Sequence, residues 1–281
     1  MTVKQQEKIA RFFLWTAATI TVGFLFLIIG YIVKEGIGVV NLNFLLDVPR
    51  KMGAKGGIFP SILGTLYLIA ATLVFAIPIG VGAAIYLNEY TREGKITRLI
   101  RFGTEALAGI PSIIFGLFGF AFFVILLRPI TGGWSILSGS LTGAIMVLPT
   151  IVRTSEEALK TVPLTYREGS LALGASKWQT VSKVVLPAAI PGILTGIILA
   201  IGRVVGETAA LLLTLGGTLL MPHSLFDGAR TMSMHLYMVA METGAMEMAF
   251  GTAVVLIITI LIINTAAGFL RKKLELSSGR R

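Results

Sequence analysis

Arg203 and Glu207 stand out as candidates for chemistry because they interrupt an apolar run, ILTGIILAIGRVVGETAALLL. A charge at the centre of a membrane span costs about 2.5–3.5 kcal/mol even on lenient scales, so such residues pair with one another or serve a function. Four residues apart on a helix, the two would share a face, and each would offset part of the other's cost. The same face can also line an anion path, since a guanidinium offers planar donors that match a tetrahedral oxyanion. The two roles are compatible if Glu207 holds Arg203 until an anion competes for it. Counted from Ala188, Arg203 lies about 22 Å into a hydrocarbon layer about 30 Å thick, in its outer half.

Other chemistries find little support. The chain has no cysteine, which removes disulfides, iron–sulfur ligation and a thiol nucleophile. Its two histidines, His223 and His235, are too few for a zinc site without help. Met221, Met232, Met234, Met238, Met241, Met246 and Met248 cluster around His235. Thioethers favour Cu(I), but methionine serves more often as adaptable packing. A membrane-facing external helix or a surface for a binding protein suits that cluster better than copper, so no metal ligand is assigned. A membrane-embedded enzyme would need a nucleophile–base or metal constellation, and none is present. Nor is there a G-x-x-x-x-G-K-[ST] phosphate loop, so ATP hydrolysis by that route would fall to another chain.

The elements that position these residues are membrane spans. Of 281 residues 55% are hydrophobic and 14% charged, where a soluble domain carries about a quarter charged. The net charge of +10 could suggest nucleic acid, yet the basic residues are dispersed between apolar runs rather than gathered in a patch, so no nucleic-acid partner is expected. Spans are predicted at about Phe12–Val33, Pro60–Leu87, Ala106–Leu127, Ser135–Val152, Ala188–Val205 and Phe250–Leu270. The first is too long in its apolar core for a signal peptide and lacks a small-x-small cleavage site. Pro78 is a candidate kink in the second.

Six spans place both termini on one side. Most of the Lys and Arg residues fall in the N-terminus, in 88–101 (with Glu89 and Glu93), in 153–187 and in the C-terminus. The opposite side holds Lys34, Arg50, Lys51, Lys55, Arg128 and Arg230. By the positive-inside rule the first set is cytoplasmic. Glu105, one turn beyond Arg101, is expected to form an interfacial ion pair with it.

Between the fourth and fifth spans lies REGSLALGASKWQTVSKVVLP, Arg167 to Pro187. Pro163 can open a helix, and Gly174 can end it in the left-handed conformation. Ser176 and Gln179 form a capping-box signature for a second helix from Lys177, which Leu186-Pro187 would close. An amphipathic helix on the membrane surface is the plainer reading, but the stretch is only modestly basic (Arg167, Lys177, Lys183). A cytoplasmic helix–Gly–helix loop is instead suited to docking a soluble partner.

This stretch resembles the EAA loop of importer-type ABC-transporter permeases. Glu168-Gly169-Ser170, Gly174, Val184 and Leu186-Pro187 fall at that family's spacings, with Gly169-Ser170 where alanines are usual and Val184 for isoleucine. IPSIIFGLFG and GRVVGETAALLLTLGG are similar to phosphate permeases of the Pst system, and the Glu156-Glu157 pair and AAIPGILTG resemble the PstA type more than the PstC type. The resemblance covers about Gly56 to Leu270.

It implies an all-α integral membrane protein of six transmembrane helices with type I (MetI-like) importer architecture. Residues 1–57 would hold the N-terminal tail, first span and external loop, 58–270 the permease domain with its coupling loop 153–187, and 271–281 a basic cytoplasmic tail. Glu168, Gly169, Ser170, Gly174, Trp178, Leu186 and Pro187 would couple to the ATPase, and Arg203 and Glu207 would line the phosphate path. The implied partners are two copies of an ATP-binding subunit, which would use ATP and Mg, a PstC-type permease, an external phosphate-binding protein and membrane lipid. The implied setting is a bacterial or archaeal plasma membrane, with no cofactor bound by this chain. Sulfate, molybdate or phosphonate are alternative cargoes.

Overall fold

A computed structural model of the chain describes residues 3–92 and 94–277. Glu93 of the charged turn and Arg280 and Arg281 of the basic tail lie outside them. The described chain is mostly helical. The main helices are α1 (Val3–Gly36), α2 (Phe59–Ile85), α3 (Lys95–Ala108), α4 (Ser112–Gly119), α5 (Ile136–Lys160) and α6 (Leu164–Ala172). They are followed by α7 (Lys177–Thr180), α8 (Leu186–Gly206), α9 (Ala209–Thr214), α10 (Met232–Met238) and α11 (Met246–Ser277). Wide five- or seven-residue turns extend α2 to Tyr90, α4 to Leu126 and α10 to Thr243, and join α7 to α8.

Five helices are long and apolar enough to cross a membrane: Glu7–Val39, Phe59–Tyr90, Ile136–Lys160, Lys177–Gly206 and Met246–Lys273. The third expected span, Ala106–Leu127, is not one straight helix. It is the second arm of a broken element, α3 and Ser112–Leu126, bent by 101°. The break falls at Gly109-Ile110-Pro111, because the residue before a proline is driven out of the helical region. Arg167, beyond the end of α5, reaches Glu89 at the end of α2, so those two ends lie on one side. The chain from Glu89 to Ser135 must therefore cross back, and Ser112–Leu126 is the segment available to do it.

α2 and α5 form the centre of the bundle, around Leu68, Ala76, Met146, Val147 and Ile151. Helix association in lipid relies on close packing of small residues rather than on hydrophobic burial. A Cβ added at Gly80 would meet Ile151 at 2.7 Å, and one at Gly192 would meet Ala158 at 2.6 Å. α1 is peripheral and its apolar residues are exposed, as expected of a helix facing lipid.

Opposite the hairpin end, residues 37–58 fold into a one-turn helix capped by Asn41 and a two-stranded ribbon, β1 (Pro49–Arg50) with β2 (Lys55–Gly56). Phe44 and Ile58 of this cap pack with Met232 and Val255. Met232 and Met234 are thus fully buried packing residues rather than an outward-facing surface, whereas Met241 and Met246 are exposed. The loop 215–231 closes over the start of α5, where the Asp227 and Leu225 carbonyls accept from the otherwise unpaired amides of Ile136 and Leu137 at 2.9 and 2.8 Å.

His235, beside this cap, is fully buried against Gly53, and neither ring nitrogen has a partner among the described residues. Burial, helped by the nearby positive Arg230, pushes its pKa down to about 4. The unfolded chain binds a proton near pH 6.5 that the folded chain refuses until about pH 4, so stability falls as pH drops through that window. The Asp227 carboxylate, stabilised by the amides of His223 and Ser224, titrates below its ordinary 3.8 and stays outside the window. Unfolding in detergent should therefore show a loss of up to about 3 kcal/mol between neutral pH and about pH 4 that His235→Gln removes. An unchanged pH profile in that variant would assign the loss elsewhere.

Candidate functional site

The hairpin following α5 is built from local signals in the sequence. Pro163 takes the N-cap of α6, one residue before the helix rather than inside it. Gly174 adopts φ +84°, which an L side chain disfavours, and turns the chain between α6 and α7. Ser176 and Gln179 complete the capping box: Gln179 N donates to Ser176 Oγ at 3.3 Å and Ser176 N donates to Gln179 Oε1 at 2.8 Å. Ser170 Oγ and Thr180 Oγ1 bond at 2.9 Å and tie the two short helices together.

Leu186-Pro187 does not end the second helix. The wide turn Val181–Val185 carries α7 into α8 without a break, and Pro187 sits just past that turn, where the helical ladder is already widened. The hairpin is thereby continuous with the fifth span. Glu168 and Gly169 are exposed, and a Cβ at Gly169 or Gly174 would meet nothing within 4 Å. Trp178 is 65% exposed and Leu173 90%. Together these residues present an open, partly apolar ridge beyond the end of the bundle.

What anchors the ridge is a residue that sequence reasoning counted only as part of a basic face. Arg167 is largely buried, and its Nη2 lies 2.7 Å from Glu89 Oε1, with Nε 3.3 Å from both carboxylate oxygens. The same guanidinium donates to the carbonyls of Val162 at 2.8 Å and Leu159 at 2.9 Å. One side chain thus joins the end of α5, the hairpin and the end of α2. Lys177 adds a second link, its ammonium 5.1 Å from the centre of the Tyr90 ring. Arg167 and Glu89 are 78 positions apart, and no local pattern marks them as partners.

A second ion cluster sits beside this anchor. The buried Glu156 carboxylate binds both Arg101 of α3 and Lys160, the latter at 3.0 Å. Arg101 therefore serves Glu156, while Glu105, expected as its partner, is exposed and makes no ion pair among the described residues. A carboxylate shielded from water rewards a cation more than an exposed one does.

The fifth span breaks at its charged interruption. α8 ends at Gly206, Glu207 is extended with ψ 133°, and α9 begins at Ala209. The two charges therefore do not share a helix face. Glu207 Oε1 instead accepts from the Ala210 amide at 3.0 Å, and its carbonyl accepts from Ser233 Oγ at 2.7 Å. Arg203 is half-buried and makes no hydrogen bond or ion pair among the described residues. α9 packs on α4, where a Cβ at Gly116 would meet the Ala210 backbone at 2.7 Å.

A broken spanning element beside a half-buried arginine, with an exposed helix–Gly–helix ridge at one end, is the layout of a transporter. Comparison with known proteins agrees. Residues 76–276 match the family described as the binding-protein-dependent transport system inner membrane component. The chain belongs to that family.

Its members are permease subunits of ABC importers rather than enzymes. The chain is 36% identical to the "Probable ABC transporter permease protein YqgI" of Bacillus subtilis, over 96% of each chain. It is also 36% identical to the "Phosphate transport system permease protein PstA 1" of Mycobacterium tuberculosis H37Rv, over 77% of this chain and 70% of that one. Among solved structures it is similar to a bacterial ABC transporter that imports the acidic polysaccharide alginate, with TM-score 0.66 at 15% identity over 96% of this chain and 99% of that one. The methionine ABC transporter MetNI superposes with TM-score 0.60 at 24% identity over 77% of this chain and 97% of that one. At these identities the structural likeness speaks for the fold alone.

For this permease, the anchor has a measurable strength. Removing one partner of a buried ion pair costs about 3–5 kcal/mol, because the other charge is left uncompensated. Arg167→Ala should destabilise the purified chain by about that amount, and adding Glu89→Gln should recover part of the loss. A double-mutant cycle of thermal unfolding should give a coupling of about 1 kcal/mol or more. Strict additivity would show that the pair carries no net energy.

Proposed function

We propose that this permease is the PstA-type subunit of an importer of inorganic phosphate, working with a PstC-type permease, two copies of a cytoplasmic ATPase and an external phosphate-binding protein. Both termini and the α6–α7 hairpin face the cytoplasm, a placement supported by the concentration of Lys and Arg on that side. The observation that carries the docking role is the ridge around Gly174, exposed and clear of neighbours, yet tied to α2 and α8. The ATPase seats Glu168, Gly169, Ser170 and Trp178 in a cleft, and its movement on ATP binding is delivered through Arg167 to α2 and through the continuous α7–α8 to the fifth span. The phosphate assignment rests on relatives named as phosphate permeases, PstA 1 among them.

The broken fifth span supports an anion path. Glu207 spends its carboxylate on the Ala210 amide, which leaves Arg203 without an acidic competitor. A half-buried guanidinium without a counter-ion attracts an oxyanion and offers it planar paired donors. Glu207 therefore does not restrain Arg203 until cargo arrives. It shapes the break that exposes the path.

Two outcomes test this reading in the complete complex with its binding protein. Arg203→Gln should abolish labelled-phosphate uptake while the ATPase still co-purifies, and excess unlabelled sulfate or molybdate should not compete in the unmodified complex. Full uptake by Arg203→Gln would remove this residue from the path, and competition by another oxyanion would move the substrate assignment. Gly174→Asp should lose both ATPase co-purification and uptake while insertion is kept, because it strains a φ of +84° and puts a charged side chain on the ridge. Normal co-purification would contradict docking at this turn.

A further inference from the structure

α3 is oriented opposite to an ordinary surface helix. Its polar side faces the protein: Thr97 is buried with its hydroxyl donated to the Arg92 carbonyl at 3.1 Å, Thr104 is half-buried, and Arg101 binds the buried Glu156. Its apolar side faces away. Ile96, Leu99, Phe102 and Leu107 recur at helical spacing and are exposed, Ile96 by 74% and Phe102 by 67%. The ion pair to Glu156 of α5 holds this orientation, so the apolar side cannot simply roll inward.

Three features say what covers that side. The bend of 101° between α3 and the arm Ser112–Leu126 lays α3 close to the membrane plane when the arm stands across the bilayer. The first turn and its approach carry exposed Arg92, Lys95 and Arg98, whereas the one acidic residue within the helix, Glu105, lies at the far end. This end of the bundle also holds the basic residues that we assign to the cytoplasm. A helix lying in the interface, with acyl chains under its apolar side and lysine or arginine at headgroup level, has this character.

We propose that α3 is a membrane-surface helix that seats Ile96, Leu99, Phe102 and Leu107 in the acyl-chain region and binds anionic phospholipid headgroups through Arg92, Lys95 and Arg98. The seat rests on the cytoplasmic placement proposed above. It makes lipid a structural partner of the Arg101–Glu156–Lys160 cluster, since α3 supplies Arg101 and α5 supplies the other two. Loss of anionic lipid then loosens α3 from the base of α5, beside the hairpin.

The chain has no cysteine, so single cysteines label without background. A bimane probe placed on this chain at Leu99→Cys or Phe102→Cys, in the complete transporter reconstituted in phosphatidylcholine–phosphatidylglycerol nanodiscs, should lose most of its emission to acyl-brominated lipid, whereas a probe at Glu105→Cys should keep it. Quenching should favour brominated phosphatidylglycerol over brominated phosphatidylcholine by about fivefold for each basic residue at the surface. Replacing Arg92, Lys95 and Arg98 together by Gln should bring that ratio close to parity. Absence of quenching at both apolar positions would overturn the seat and point to cover by protein, and equal quenching by the two lipids would overturn the anionic preference. An impermeant maleimide tests the side separately: reaction of Glu105→Cys in intact cells would overturn the cytoplasmic placement, while quenching by lipid would be unaffected by it.

Discussion

The Arg167 guanidinium is the point on which the rest of the structure depends. It binds Glu89 across 78 positions and also takes the carbonyls of Leu159 in α5 and Val162 just beyond it, so three elements that approach the same end of the bundle are fixed by one planar group. Arginine suits this role because its fork presents five donors in fixed directions, whereas a lysine ammonium would satisfy fewer acceptors at once. The pair is shielded on both sides, with side-chain exposures of 16% and 8%, so neither salt nor water screens it as an open surface pair would be screened. Beside it, only Lys177 over the Tyr90 ring adds a charged contact between hairpin and α2 among the described residues.

From that anchor, two routes lead into the membrane. One runs through Glu89 into α2, which packs along α5 by glycine-mediated close approach. The other runs through the wide turn Val181–Val185 into α8 and ends where the fifth span breaks at Gly206. On the proposed reading the hairpin is a handle with two rigid connections. The far end of one of them is three residues beyond Arg203. Packed helices move as units rather than deforming continuously, so displacement of the handle is delivered to the break.

Much of the hairpin was legible in the sequence because its signals are local. The Gly174 turn and the Ser176–Gln179 box are decided within a few residues, and both formed. The misreadings share a cause. Leu186-Pro187 looked like a stop because a proline usually ends a helix, but the wide turn Val181–Val185 accommodates it and the helix runs on. Arg203 and Glu207 looked like partners because they are four apart, but that spacing matters only inside an unbroken helix, and Gly206 ends this one. Ala106–Leu127 looked like one span by composition, while the backbone restriction before Pro111 left its first residues at the end of α3, bent 101° from the arm that follows. The Arg167–Glu89 and Arg101–Glu156 pairs had no local signature at all. They depend on which helix ends the fold brings to one side.

On the proposed reading, the hairpin and the end of α2 move as one body when the ATPase works. Spin labels at Thr165→Cys on α6 and Tyr86→Cys on α2, both exposed, report that distance directly in a chain free of native cysteine. In the assembled transporter, pulsed electron paramagnetic resonance should give one narrow distance that is the same in the nucleotide-free and ATP-trapped states, and that broadens when Arg167→Ala is added. A distance that shifts between the two states with Arg167 intact would mean that the handle slides on the bundle instead of driving it, and would rule out coupling through Arg167.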